Sequence, residues 1–193
     1  STGLEEINSW PSLMIMTSFV WLAVAGLLGV AMPLTQLLDM QSNLFYTALT
    51  AHGAALAFPF LFQLMVGISL HRAASCLGKP VTGPLIAGIY WTMNIGAALL
   101  TVAVLGGLKI SYAVMYPLPI VGVETGQWSM SVVVLGFTGL ALVLTSMIFL
   151  YPFQMIRMLF FGNVREDLQL SPRTLNDPGM LGMAIAVFVL LVM

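Results

Sequence analysis

Long uncharged apolar runs alternate with short polar segments along this chain. A bilayer-spanning helix needs about 20 apolar residues to cross a hydrocarbon core of roughly 30 Å. Four runs meet this requirement and predict spans 1 to 4, at about residues 12–38, 44–70, 82–108 and 128–155. The runs lack the period-two alternation that is typical of membrane barrels. The pattern therefore predicts an all-α membrane protein, a transmembrane helix bundle in which residues 1–193 form a single domain.

A fifth apolar run begins after Asn176-Asp177-Pro178. Asp is a favourable N-cap and Pro is favourable at the first helical position, so this segment predicts a helix start. The run that follows, residues 179–193, is GMLGMAIAVFVLLVM. It is too short to cross a bilayer. We therefore expect the bundle to be completed by further residues, either in a longer chain or in a separate partner chain.

Composition agrees with a membrane protein and excludes other classes. The chain is 60% hydrophobic and only 7% charged, whereas a soluble domain carries roughly 25% charged residues. Its net charge of −1 provides no basic field for nucleic acid. The single Cys76 can form neither an internal disulfide nor a Cys-x-x-Cys redox or metal motif. The acidic start, STGLEEINSW, is unlike a signal peptide with a basic n-region.

The basic residues predict the orientation in the membrane. All but Lys109 lie after spans 2 and 4: Arg72, Lys79, Arg157, Arg165 and Arg173. By the positive-inside rule those segments are cytoplasmic, so we expect a multi-pass protein of the cell membrane with a cytoplasmic N-terminus. His52 follows Leu44, the outer start of span 2, by eight positions. At ~1.5 Å per residue, this spacing places His52 roughly 12 Å beneath the outer edge.

His52 is the main candidate for a functional residue. An unpartnered ionisable group inside a span is energetically costly, and the residues that occur there usually have a function. The residues three and four positions away on a helix are Ala48, Leu49, Ala55 and Leu56. Small neighbours let another helix approach closely, which favours a structural histidine bonded to that helix. They also give room for a flat macrocycle, which favours an axial ligand. Pro59, seven positions on, predicts a bend below the site.

Several site types are disfavoured by what the spans lack. The predicted spans 1 to 4 contain no Asp, Glu, Lys or Arg, and a proton-coupled transporter site usually needs acidic residues. A two-haem b-type cytochrome needs pairs of histidines on facing helices. The only other histidine, His71, lies just past span 2 beside Arg72, and we interpret it as an interfacial residue. His52 therefore supplies at most one side of a haem.

Other polar residues in the spans have structural interpretations. Gln63 and Asn94 are amides in the middle of spans, and we expect them to form interhelical hydrogen bonds. Tyr46 and Thr50 lie on the turn before His52, where they line a haem edge or bond backbone carbonyls; we favour the second. Trp21 is deep enough in span 1 to be a packing residue.

Two motifs resemble a known family. Residues 45–53, FYTALTAHG, and the Phe-rich stretch after them resemble the second transmembrane helix of subunit I of the haem-copper oxidases. There, a Thr-Ala-His-Gly-type sequence provides one axial ligand of the low-spin haem. Tyr116-Pro117-Leu118-Pro119, between spans 3 and 4, is similar to the family's Tyr-Pro-Pro-Leu. The resemblance covers most of residues 12–193, as the family's first four helices and the start of its fifth, and it leans towards the B-type oxidases of thermophiles and archaea.

The resemblance implies that the chain is the N-terminal portion of the catalytic subunit of a respiratory terminal oxidase. Electrons would pass through a low-spin haem to a high-spin haem and copper, where oxygen is reduced with proton uptake. His52 would bind the low-spin haem iron through a neutral imidazole nitrogen, while its other nitrogen donates to a carbonyl or water. The four neighbours on its face, Ala48, Leu49, Ala55 and Leu56, would pack against the haem.

The resemblance also implies partners, because the family's other five metal-ligating histidines lie beyond the fifth helix. This chain alone is therefore expected to be non-catalytic. The high-spin haem and copper would lie in the remaining part of subunit I, within a twelve-helix-type core. Further expected partners are a copper-bearing or other oxidase subunit, an electron donor (a cytochrome, cupredoxin or quinol) and the lipid bilayer, with no nucleic acid.

Two departures from the family limit this interpretation, and two alternatives stay open. Tyr-Pro-Leu-Pro is not Tyr-Pro-Pro-Leu, and residues 71–83, HRAASCLGKPVTG, lack the Asn-Asp-Cys signature of the A-type proton pathway. One alternative is a small non-catalytic helical membrane subunit or transporter component with a structural His52. The other is a relative of the nitric oxide reductases, which share the second-helix histidine.

Overall fold

The computed structural model describes residues 2–38, 42–77, 81, 83–108, 123 and 128–160. Within these ranges every regular element is helical. Four helices are long and apolar enough to cross a membrane, and they define spans 1 to 4: Trp10–Leu37, Leu44–Ser75, Pro84–Leu105 and Met130–Met158. The predictions of an all-helical fold and of a multi-pass membrane protein are confirmed for this part of the chain. The predicted fifth span and the motif at residues 116–119 lie outside it.

The helices extend somewhat beyond the predicted spans at several ends. Span 1 lies in Thr2–Leu37 and span 3 is Pro84–Leu105. Span 2 consists of Ser42–Ala55, a π-helical segment Leu56–Phe62 and Gln63–Leu77. Span 4 consists of Met130–Leu144, a π-helical segment Thr145–Leu150 and Tyr151–Phe160.

At the end of span 2 the helix continues past the predicted span. The helix does not end at Leu70 but continues to Leu77, so the exposed His71 and Arg72 lie within its last turns. Arg157 is likewise an exposed residue on the last helical segment of span 4. Charged side chains end the apolar pattern without ending the helix, because backbone hydrogen bonding continues past the edge of the hydrocarbon core.

The two π-helical segments occur next to prolines. Pro59 has no N–H to donate and its ring crowds the carbonyl four residues earlier. Span 2 accommodates it with the wider π-helical segment Leu56–Phe62, which contains Pro59. In span 4, Pro152 is the second residue after the π-helical segment Thr145–Leu150. The irregularity predicted at Pro59 is thus a π-helical segment within a continuous helix, a type of insertion that is frequent at functional sites.

Neighbouring spans run in opposite directions. Span 1 pairs with span 2 through contacts at Ala25 with His52 and at Met14 with Gln63. The later residue of span 1 contacts the earlier residue of span 2, as an antiparallel register requires. Span 3 runs parallel to span 1, because Tyr90 bonds Thr17 in the same register in which Asn94 bonds Trp21.

Spans 3 and 4 cross at glycines. A Cβ added to Gly96 would lie 2.6 Å from the carbonyl oxygen of Gly139, and a Cβ added to Gly139 would lie 2.6 Å from that of Gly96. The two backbones are therefore in direct contact, as at small-residue crossings of membrane helices. Further along the same pair, Ser146 donates to the Ile89 carbonyl at 3.0 Å. These contacts bring the backbones of spans 3 and 4 together at a defined crossing.

Candidate functional site

His52 lies at the seam between spans 1 and 2, where it is half-buried. Its Nδ1 lies 2.8 Å from the carbonyl oxygen of Ala25 on span 1. A carbonyl oxygen only accepts hydrogen bonds, so Nδ1 carries a proton and donates it. In the neutral imidazole, Nε2 then keeps its lone pair. The bond between the two spans thus selects one tautomer of the ring.

Span 1 makes room for this ring at Gly29. A Cβ at Gly29 would lie 3.0 Å from Cε1 and 3.1 Å from Nδ1 of His52. Gly29 is one turn after Ala25, and in an α-helix its N–H donates to the Ala25 carbonyl, which still has a second lone pair for His52. Ala25 and Gly29 therefore form a slot in span 1, in which backbone rather than side chain contacts the imidazole.

Nε2 of His52 has no hydrogen-bond partner in the part of the chain that the structure describes. Nor do three or more His, Cys, Asp or Glu side chains gather there in a way that would hold a metal ion. The available chemistry is therefore that of a single neutral imidazole donor. An Nδ1–H bonded to a carbonyl is the usual arrangement of a metal-ligating histidine. The same bond is what the structural alternative predicts for a histidine that joins two helices.

The predicted haem-packing residues divide into two pairs. Ala48 and Ala55 are 7% and 3% exposed, so they pack inside the bundle. Leu49 and Leu56 are half-buried. The buried alanines agree with close helix approach, whereas packing of these four residues against a haem stays a prediction.

Two glycines adjacent in sequence to the residues of this contact face open space. Gly26 and Gly53, which directly follow Ala25 and His52, are both exposed. A Cβ added to either would meet no atom within 4 Å. Each of these two positions therefore faces open space, whereas room for a flat group at the imidazole stays a prediction.

The amides predicted to join helices do so. Trp21 Nε1 donates to Asn94 Oδ1 at 2.9 Å, which joins spans 1 and 3. Gln63 Nε2 donates to the Met14 carbonyl at 3.1 Å, which joins spans 2 and 1. Gln63 is 2% exposed, and its Oε1 is buried without a partner among the described residues. Interhelical hydrogen bonding by Asn94 and Gln63 is thus confirmed.

The turn before His52 also follows the favoured prediction. Thr50 donates to the Tyr46 carbonyl at 2.8 Å, as expected for a hydroxyl that bonds its own helix. The Tyr46 ring contacts the ring of Phe45 edge-on, with centroids 5.5 Å apart.

Sequence reasoning missed the two residues of span 1 that hold the histidine, Ala25 and Gly29. A signal for them exists, because two small residues four positions apart are typical of close helix contacts in membranes. That spacing recurs in this glycine-rich chain, so it does not by itself identify the histidine as the contacting residue.

Comparisons with known proteins add no relative to this picture. No protein-family model, curated protein or solved structure matches the chain. Functional inference therefore starts from the motif around His52 and from the geometry at the seam between spans 1 and 2.

Proposed function

We propose that the chain is the N-terminal portion of the catalytic subunit of a respiratory terminal oxidase, and that His52 is one axial ligand of its low-spin haem. The observation that best supports the proposal is the Nδ1–H bond to the Ala25 carbonyl, which keeps Nε2 available as a neutral donor. The sequence FYTALTAHG at residues 45–53 supplies the independent family resemblance.

The residues around His52 fit an axial ligand. The Ala25 carbonyl fixes the ring's tautomer and raises the basicity of the nitrogen that binds metal. Gly29 leaves the ring room to adopt this orientation. When bound, a low-spin haem supplies one-electron transfer at an iron whose potential depends on the axial ligands.

The chain's own part in this function is to hold one ligand nitrogen in place. His52 supplies one side of the iron, so the second axial ligand belongs to the remaining part of subunit I. The high-spin haem and copper belong there too, within a twelve-helix-type core that also meets an oxidase subunit and an electron donor. Oxygen reduction is accordingly proposed for the complex and not for this chain alone.

The proposed orientation has the N-terminus in the cytoplasm of a cell-membrane protein. Spans 2 and 4 run parallel and meet near their ends, where the hydroxyls of Ser69 and Tyr151 lie 2.8 Å apart. The exposed Arg72 and Arg157 follow at this same end of the bundle. Both lie on the side that the positive-inside rule assigns to the cytoplasm. His52 then lies in the outer half of the membrane.

A histidine substitution tests the proposal. The complex that contains this chain is purified with His52→Ala, and its reduced-minus-oxidised absorption spectrum is compared with that of the wild type. We expect the low-spin haem bands to disappear while the complex still assembles. His71→Ala is the matched control, because His71 is exposed beyond the apolar part of span 2, and its spectrum should equal the wild type. Low-spin bands that survive His52→Ala would contradict the proposal.

The bond from His52 to Ala25 also supports a second candidate, a non-catalytic helical subunit in which His52 only joins spans 1 and 2. In that case the wild-type complex shows no haem bands that depend on this chain. His52→Ala would then lower the stability of the bundle without any spectral change.

A further inference from the structure

We infer that Trp21 is a positioning residue for His52, acting through the Ala25 carbonyl; the inference rests on the proposed function. Trp21 precedes Ala25 by four residues, so the two lie one above the other on the same face of span 1. The Trp21 indole N–H donates to Asn94 Oδ1 of span 3 at 2.9 Å. Span 1 is thus attached to span 3 one turn away from the carbonyl that orients the imidazole.

Asn94 is itself held in the orientation that this bond needs. Its Nδ2 donates to the Tyr90 carbonyl at 2.8 Å, within span 3. An amide has its oxygen and nitrogen on opposite sides, so fixing Nδ2 on the helix turns Oδ1 towards Trp21. The acceptor is therefore preorganised and does not have to be recruited by the indole.

A second bond one turn away sets the same register. Thr17 Oγ1 and the Tyr90 hydroxyl lie 3.1 Å apart, again between spans 1 and 3. The partners in both bonds are 73 residues apart in sequence, so the bonds agree on one axial alignment of the two helices. A slip by one residue displaces a helix by about 1.5 Å. Loss of the Trp21 bond leaves the register held at Thr17 but loosens the turn of span 1 next to Ala25, and a much smaller shift of that turn weakens the 2.8 Å bond between His52 and Ala25.

The consequence appears at the ligand nitrogen. Donation from Nδ1 to a carbonyl makes the imidazole a more basic ligand, which favours the oxidised iron. Loosening the turn of span 1 at Trp21 weakens that donation and favours the reduced iron. Trp21 would therefore shift the potential of the low-spin haem through the Ala25 carbonyl and the His52 imidazole.

Trp21→Phe tests this inference, because it replaces the indole by a smaller aromatic ring that has no N–H donor. We expect the purified complex to retain its low-spin haem, with a raised midpoint potential. At a fixed ambient potential, the ratio of reduced to oxidised low-spin haem should rise by about threefold, as for weakening of one ordinary hydrogen bond. Trp91→Phe is the matched control, since Trp91 is 55% exposed and should leave the ratio unchanged.

Asn94→Leu provides a second variant that removes the acceptor instead. It should raise the ratio by a similar factor, and the double variant should raise it no further, because both changes break one bond. A wild-type ratio in Trp21→Phe and Asn94→Leu, or an equal rise in Trp91→Phe, would overturn the inference while leaving axial ligation by His52 intact. A wild-type complex without low-spin haem would instead refute the proposed function, and this inference with it.

Discussion

At the scale of single residues, the bundle satisfies its one histidine inside the hydrocarbon region with backbone alone. An imidazole N–H without a partner in an apolar medium carries a desolvation cost. His52 avoids this cost by donating to the Ala25 carbonyl, and Gly29 allows the ring to approach because it has no side chain. The other ring nitrogen, Nε2, keeps its lone pair. The contact that joins spans 1 and 2 therefore leaves one nitrogen atom able to accept a hydrogen bond or to bind a metal.

Adding one methyl group at Gly29 should disturb the site. In Gly29→Ala, the new Cβ would lie 3.0 Å from Cε1 of His52, so the ring must move by a few tenths of an ångström and its bond to Ala25 lengthens. We expect about 1 kcal/mol of lost stability, as for one weakened hydrogen bond, and a lower content of low-spin haem. Thermal unfolding in detergent and the haem-to-protein ratio measure the two effects.

Gly26→Ala, on the same helix, is the control for that experiment. Its added Cβ would meet no atom within 4 Å. It replaces the same residue type and should leave both measurements unchanged. Equal effects of the two substitutions would show that the slot at Gly29 does not matter.

The buried amide Gln63 gives a prediction about stability. Its Nε2 bonds the Met14 carbonyl, but its Oε1 is buried without a partner among the described residues. Gln63→Leu removes both atoms at similar volume and should change stability by less than about 1 kcal/mol. Gln63→Ala opens a cavity and should cost roughly 2–4 kcal/mol. Chemical unfolding of the two variants compares them, and a strongly destabilised Gln63→Leu would mean that Oε1 has a partner after all.

At the scale of the helices, close backbone contact and hydrogen bonds fix how the spans pack. Spans 3 and 4 touch through Gly96 and Gly139, whereas spans 1 and 3 are joined by side-chain hydrogen bonds at Tyr90 and Asn94. The helix of span 2 contains its Pro59 within the π-helical segment Leu56–Phe62, and that of span 4 has the π-helical segment Thr145–Leu150 just before Pro152. Each span therefore stays continuous while its axial position is set at a few defined points.

Gly96→Ala should separate spans 3 and 4. The added Cβ would lie 2.6 Å from the Gly139 carbonyl oxygen, a contact that only a shift of backbone relieves. We expect a loss of about 1–3 kcal/mol, as for overpacking of a core. Gly88→Ala on the same helix is the control, because its nearest neighbour would be Leu150 Cδ1 at 4.0 Å. Unfolding in a denaturing detergent measures both, and equal stability of the two variants would contradict a close crossing at Gly96.

At the scale of the whole molecule, four apolar spans present most of their surface outward. Between 17% and 39% of the most apolar stretch of each span is buried inside the structure. Large exposed side chains, such as Leu27 and Phe149, are suited to lipid or to further helices. In the proposed function, His52, half-buried at the seam, would be one ligand of a site that the remaining part of subunit I completes.

The proposed orientation makes a prediction for reporter fusions. Alkaline phosphatase, which is active only outside the cytoplasm, should be active when fused after Met40 and inactive when fused after Lys79, because the basic residues keep the second position inside. Matched expression of both fusions is checked by immunoblot. The opposite pattern of activity would invert the bundle and place His52 in the inner half of the membrane.

Hydropathy and residue chemistry predicted the spans and the polar residues that matter, but not their partners. The positions of Asn94 and Gln63 in the middle of spans were enough to predict interhelical bonds, because an amide in hydrocarbon needs a partner. Trp21 and Ala25 could not be selected as partners, because rotation and axial register of each helix arise from packing. The helix of span 2 continues to Leu77, past the apolar run that ends at Leu70, because an apolar pattern marks the part suited to the membrane and not the end of the helix.

Electron paramagnetic resonance of the oxidised complex, with and without added imidazole, tests the central claim most directly. The wild type should show a low-spin ferric haem signal, and His52→Gly should lose it. Because the substitution leaves a space the size of the missing ring, free imidazole should enter and restore the signal. A low-spin signal that persists in His52→Gly without imidazole would contradict axial ligation by His52.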